Sequence, residues 1–102
     1  MWAELNRQEV QVAEVGFCGR GGRGGQIEGI SLSRLPGGER VDLRRWPGRG
    51  ELEHGLTAPV WDRYGTFTGQ PLIRGTVKWT TADRRVVITG VRGDQRFEEI
   101  VK

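Results

Sequence analysis

The sequence predicts a mostly β domain: antiparallel meanders forming a curved sheet, a small barrel or a sandwich, with one short helix. Three features predict it. Apolar and polar residues alternate in several short runs, as half-buried strands require. Turn signals built on Gly and Pro separate these runs at a spacing of about 11–12 residues, the rhythm of all-β domains. The chain also carries 17 glycines in 102 residues, which favours frequent turns over long helices.

Residues 9–18 alternate imperfectly. Val10 and Val12 share one face, Ala13, Val15 and Phe17 the other, and the phase slip at 12–13 predicts a bulge or two short strands. Residues 19–25 (Gly-Arg-Gly-Gly-Arg-Gly-Gly) offer no core side chain and predict a flexible loop. A strand is expected over 26–35, then a turn at Pro36-Gly37-Gly38. Residues 39–46 alternate as the next strand, with Val41, Leu43 and Arg45 on one face and Asp42, Arg44 and Trp46 on the other. After the turn Pro47-Gly48-Arg49-Gly50, a third strand is expected over 51–57, with Leu52 and Leu56 in phase. Residues 26–57 thus read as a three-stranded meander.

Thr57-Ala58-Pro59 reads as a helix start, a hydroxyl cap followed by Pro in the first turn. Val60, Trp61 and Tyr64 would form its buried stripe, and Gly65 would end it after about two turns. After a connection over 65–71, strand rhythm returns. Ile73, Val77 and Trp79 are in phase over 72–80, Thr81-Ala82-Asp83-Arg84 is a turn, 85–91 is the most β-prone run, and 95–101 closes after Gly93-Asp94. The whole chain, 1–102, has room for one domain and one modest core.

Composition bounds the function. Net charge is +3, and 14 of the 16 basic residues are Arg. Arg forks onto phosphates and stacks on bases, although a GC-rich genome enriches Arg and Gly without any functional cause. Cys18 is the only cysteine, so no intrachain disulfide can form. Residues 1–7 lack the apolar run of a signal peptide, and nothing approaches the ~20 apolar residues of a membrane span. A cytoplasmic location without membrane association is the expectation.

Catalytic and metal chemistry find little support. His54 is the single histidine, and a nucleophile–base–orienter set needs convergent partners that no spacing indicates. One His and one Cys are too few for a zinc site, and neither a calcium-loop pattern nor a phosphate-loop motif is present. No cofactor and no enzymatic activity are expected. Gly19, Gly21 and Gly24 fit G-x-G-x-x-G, but a strand-like run follows where the dinucleotide fingerprint needs a helix. The same segment reads as two Arg-Gly-Gly units, suited to backbone contacts with single strands, and equally as an ordinary glycine-rich hairpin loop. Arg92-Gly93-Asp94 reads as an ordinary turn.

The segment 40–64 is more informative. Arg44 and Trp46, with Arg49 in the following turn, set an aromatic between cations, which sequence-tolerant single-strand binding uses. Trp46 reads equally as a core residue with solvated arginines beside it. Arg40-Val41-Asp42-Leu43-Arg44-Arg45-Trp46, then Gly50-Glu51-Leu52, Gly55-Leu56-Thr57 and Trp61, resembles the PC4-like family of transcriptional coactivators over residues 26–64. That family carries a V-D-(I/L)-R-x-(W/Y) strand, a G-E turn, a G-(I/L)-(S/T) strand and a Trp on the next helix. The resemblance implies a curved sheet that binds single-stranded DNA on one face, as a dimer, with Arg34 and Arg44 at basic sheet positions and Trp46 at an aromatic one. The chain departs from the family in its short expected helix and its three further strands.

The leading expectation is therefore a non-enzymatic module for single-stranded DNA or RNA, with a homodimer as the assembly the resemblance implies. Arg34, Arg44 and Arg49 would neutralise phosphates, Trp46 would stack a base, and Arg20 and Arg23 would wrap the strand. The alternative is a small interaction or assembly module, of a phage or regulatory kind, that recruits a protein partner through exposed strand edges.

Overall fold

Alternation of side chains, where it is regular, decides the sheet. A computed structural model of the chain describes residues 2–22, 24–34, 41–45, 49–65, 67, 69 and 71–101; for Arg44, Arg49 and Glu51 the description stops at the backbone. The elements are α1 (Trp2–Arg7), β1 (Val12–Arg20), β2 (Gly24–Ser33), β3 (Val41–Asp42), a 3-10 turn (Leu43–Arg45), α2 (Arg49–Tyr64), β4 (Ile73–Thr80), β5 (Arg85–Arg92) and β6 (Gln95–Ile100). The strands form one open antiparallel sheet in the order β3-β2-β1-β4-β5-β6. The mostly antiparallel β class is as expected, and the sheet closes into neither barrel nor sandwich. No helix among the described residues is long and apolar enough to cross a membrane.

β2 and β4 both lie antiparallel beside β1 and so run parallel to each other. Parallel strands need a crossover connection, and α2 supplies it, packing on one face of the sheet. Under it lie Ala13, Val15 and Phe17 of β1, Ile30 and Leu32 of β2, Ile73, Val77 and Trp79 of β4, and Val86 and Ile88 of β5, all buried. Trp79 donates its ring N–H to the Leu56 carbonyl at 3.3 Å, tying sheet to helix. α1 closes one end of this core with Leu5 fully buried and Trp2 edge-on to Trp79 at 5.3 Å.

Several expectations are corrected. The strand expected over 51–57, and the helix start at Thr57, both fall inside α2. Leu52, Leu56, Val60 and Tyr64 recur every four residues and are all buried, while His54 and Asp62, which a strand would place on the same face, are exposed, so the apolar period is helical. Pro59 sits in the helix interior rather than its first turn. Helix formation ends, as expected, at Gly65, which takes φ 57° and donates to the Trp61 carbonyl at 2.8 Å.

The strand expected over 39–46 is reduced to Val41–Asp42, paired with Leu32 and Ser31, before the chain coils into Leu43–Arg45. The glycine-rich run 19–25 is largely strand: Gly19 pairs with Gly25 and Arg20 with Gly24. Its glycines serve packing, because a Cβ at Gly25 would lie 2.0 Å from the Phe67 ring and one at Gly19 would lie 2.6 Å away. The anticipated slip at 12–13 is only the start of β1. The irregularity falls between Gly16 and Phe17, where β2 supplies the extra residue Glu28.

Candidate functional site

The helix covers one face of the sheet, and no described helix packs on the other. Strand register sets the side chains of this open face in rows that run across the strands. One row is Gly29, Gly16, Thr76, Thr89 and Glu98; beside it on one side run Gln26, Cys18, Arg74, Val91 and Arg96, and on the other Ser31, Glu14, Lys78, Val87 and Ile100. The middle row is low. A Cβ added at Gly29 would meet nothing within 4 Å, and one at Gly16 would meet only ordinary contacts at 3.8 and 3.9 Å. The result is a shallow trough of small side chains from Gly29 to Thr89, about 14 Å long at ordinary strand spacing and closed at the β6 end by Glu98.

Charge on this face is mixed, with a cationic surplus. Arg74 and Lys78, both on β4 and both exposed, stand on opposite banks of the trough with Thr76 between them. Arg20, Arg85 and Arg96 extend the basic surface toward the ends of their strands, while Glu14, Glu28, Asp42 and Glu98 oppose it. Arg74 pairs with Glu28 at 3.7 Å across β1. Among the described residues no aromatic ring lies on this face: Phe17, Trp79 and Phe97 all share the helix side by register.

The residues singled out in the sequence are not brought together. Arg20 ends β1 and Arg34 follows the far end of β2; both are exposed, at opposite ends of the sheet, about 30 Å apart for strands of this length. Arg44 lies in the 3-10 turn and Arg49 opens α2, so neither stands on a strand face. Arg23 and Trp46 lie outside the described residues. Gly55-Leu56-Thr57, a strand in the PC4-like pattern, is helical here. His54, which falls in the strand expected over 51–57, is exposed on α2. Arg74 and Lys78 were missed although a signal existed: with Ile73, Val77 and Trp79 in phase inward, the intervening residues of β4 point outward.

A second polar group lies on the helix side, where α2 ends over β5 and β6. Arg63 pairs with Glu99, and Arg92 approaches the same carboxylate at 4.0 Å while lying 5.3 Å from the Phe97 ring centroid. The Tyr64 ring stacks between Phe17 and Phe67, and its buried hydroxyl finds no hydrogen-bond partner among the described residues. Burial pushes the Tyr64 hydroxyl above its ordinary pKa, the Glu99 charge adds to that rise, and Arg92 and Arg63 oppose it. This cluster fastens the end of α2 to the sheet. No group of three His, Cys, Asp or Glu residues among the described residues is disposed to hold a metal ion.

No family model matches the chain, and no curated protein or solved structure matches it.

Proposed function

We propose that the chain is a non-enzymatic binding module whose open sheet face receives single-stranded nucleic acid. The observation that carries this reading is the trough floored by Gly16, Gly29, Thr76 and Thr89, with Arg74 and Lys78 on its two banks. An extended polyanion laid across the strands meets little steric resistance there and has a cation on each side. Arg20 and Arg85 widen the basic surface beyond the two banks. With no stacking ring among the described residues of this face, affinity comes from phosphate contacts, so binding is sequence-tolerant and salt-sensitive.

Fluorescence anisotropy of a labelled oligonucleotide tests this. Contact with three to four phosphates gives a log–log salt slope of about −2 to −3 for a single strand. The Arg74→Ala/Lys78→Ala double variant should flatten that slope by about 1.4. Absence of binding at low salt, or an unchanged slope in the double variant, contradicts the reading.

A further inference from the structure

The two edges of the sheet are unequal. β3 is two residues long, whereas β6 is a six-residue edge with a flank open to solvent among the described residues. Strand edges that carry free N–H and C=O groups are templates for another strand. The phase of those groups follows from one bond: the Val101 N–H donates to the Val86 carbonyl at 2.8 Å. In an antiparallel ladder, opposite residues are alternately bonded and unbonded to each other. By the observed register, Phe97 and Gln95 therefore bond β5, while the backbone groups of Arg96, Glu98 and Ile100 point out of the sheet.

We infer that β6 pairs antiparallel with β6 of a second copy of this chain, centred on Phe97, to form one continuous twelve-stranded sheet. The edge itself selects this register. Outward-pointing groups must face each other, so only Arg96, Glu98 and Ile100 can bond across, and registers that oppose them to Phe97 or Glu99 leave the backbone unpaired. Centring on Phe97 sets Arg96 opposite Glu98 of the second copy, and does so twice by symmetry. Each such pair combines backbone bonds with opposite charges on the open face. The neighbouring allowed registers oppose Glu98 to Glu98 or Arg96 to Arg96, which like-charge repulsion disfavours. At the centre, the two Phe97 side chains meet on the helix side at the closest spacing an antiparallel pair offers. The dyad is perpendicular to the sheet, so both open faces look the same way. This inference stands independently of the nucleic-acid reading.

The test is the solution mass of the full chain. Light scattering after size exclusion should give twice the 11.4 kDa protomer. Arg96→Glu and Glu98→Arg each place like charges opposite one another twice and should weaken association by about tenfold or more. The Arg96→Glu/Glu98→Arg double variant restores the complementarity and should regain the dimer. Equimolar mixing of the two single variants should regain it too, because each then meets the opposite edge. A monomeric wild-type chain at high micromolar concentration overturns the inference, and so does a dimer indifferent to both single variants.

Discussion

Gly25→Ala is the substitution whose cost the geometry defines best. Its Cβ would stand 2.0 Å from Cε2 of Phe67, 2.6 Å from Cδ2 and 2.7 Å from Cζ. Carbon atoms prefer about 3.5–4.0 Å, so the ring must retreat by about 1.5 Å. Among the described residues, aromatic rings already crowd it. Phe67 is fully buried, with ring centroids at 5.4 Å from Tyr64 and 6.5 Å from Trp61. Phe67 also holds φ 64°, a left-handed conformation that a non-glycine residue keeps only when its surroundings over-determine it. Overpacking of this kind costs about 1–3 kcal/mol. Loss of glycine freedom in the unfolded chain returns about 0.4–1 kcal/mol. The net loss is about 1–2 kcal/mol, which lowers the melting temperature by roughly 4–16 °C in a domain of this size. Urea denaturation followed by tryptophan fluorescence reads it. Gly29→Ala, on the same strand but facing open space, is the control and should be neutral or slightly stabilising. In a Phe67→Ala background the Gly25→Ala penalty should vanish, because the two changes share one contact. If Gly25→Ala is as mild as Gly29→Ala, the glycine-to-ring packing is not what shapes the β1–β2 hairpin.

Two further outcomes are expected. Tyr64 is the only tyrosine, so the ultraviolet absorbance of tyrosinate reports it alone. Its titration midpoint in the folded chain should lie above the usual value of about 10, and Glu99→Gln should lower it. A hydroxyl whose folded pKa is raised contributes stability that is complete below the unfolded pKa and is lost as pH rises toward the folded one. Alkaline pH should therefore weaken folding, and a Tyr64 midpoint at or below that of free tyrosine contradicts the burial of its hydroxyl. Glu28→Gln releases Arg74 from its 3.7 Å partner and removes an opposing charge from the open face. Oligonucleotide binding at low salt should tighten, while fold stability stays within about 0.5 kcal/mol because the pair is exposed. Weaker binding by this variant would argue against phosphate contact at Arg74.

The C-terminal half of the sheet was legible because its signals agree. β4, β5 and β6 alternate cleanly, carry β-branched residues and are separated by tight turns, so the expected 72–80, 85–91 and 95–101 differ from the observed strands by a residue or so at their ends. The first half of α2 was read as strand for a definite reason. Leu52 and Leu56 are four apart, a spacing that fits period 2 and period 3.6 equally, and Gly50, Gly55 and Pro59 are poor helix formers. The continuation through Val60 and Tyr64 keeps that spacing of four; the polar residues His54 and Asp62 at the intervening strand-phase positions, both exposed, separate the two periods. The consequence for the site was large: once 49–64 is a helix, Arg44 and Arg49 leave the sheet and the cations of β4 remain on its open face. The packing of Phe67 on Gly19 and Gly25 was not legible, since it joins segments more than 40 residues apart and glycine alone reads as loop.

The open-face account is tested most directly by amide chemical-shift mapping of the chain titrated with a short single-stranded oligonucleotide. The account predicts perturbations concentrated on Gly16, Gly29, Thr76, Lys78 and Thr89, with the exposed side of α2 silent. Shifts confined to α2 and the 3-10 turn, or none at low salt, would contradict it.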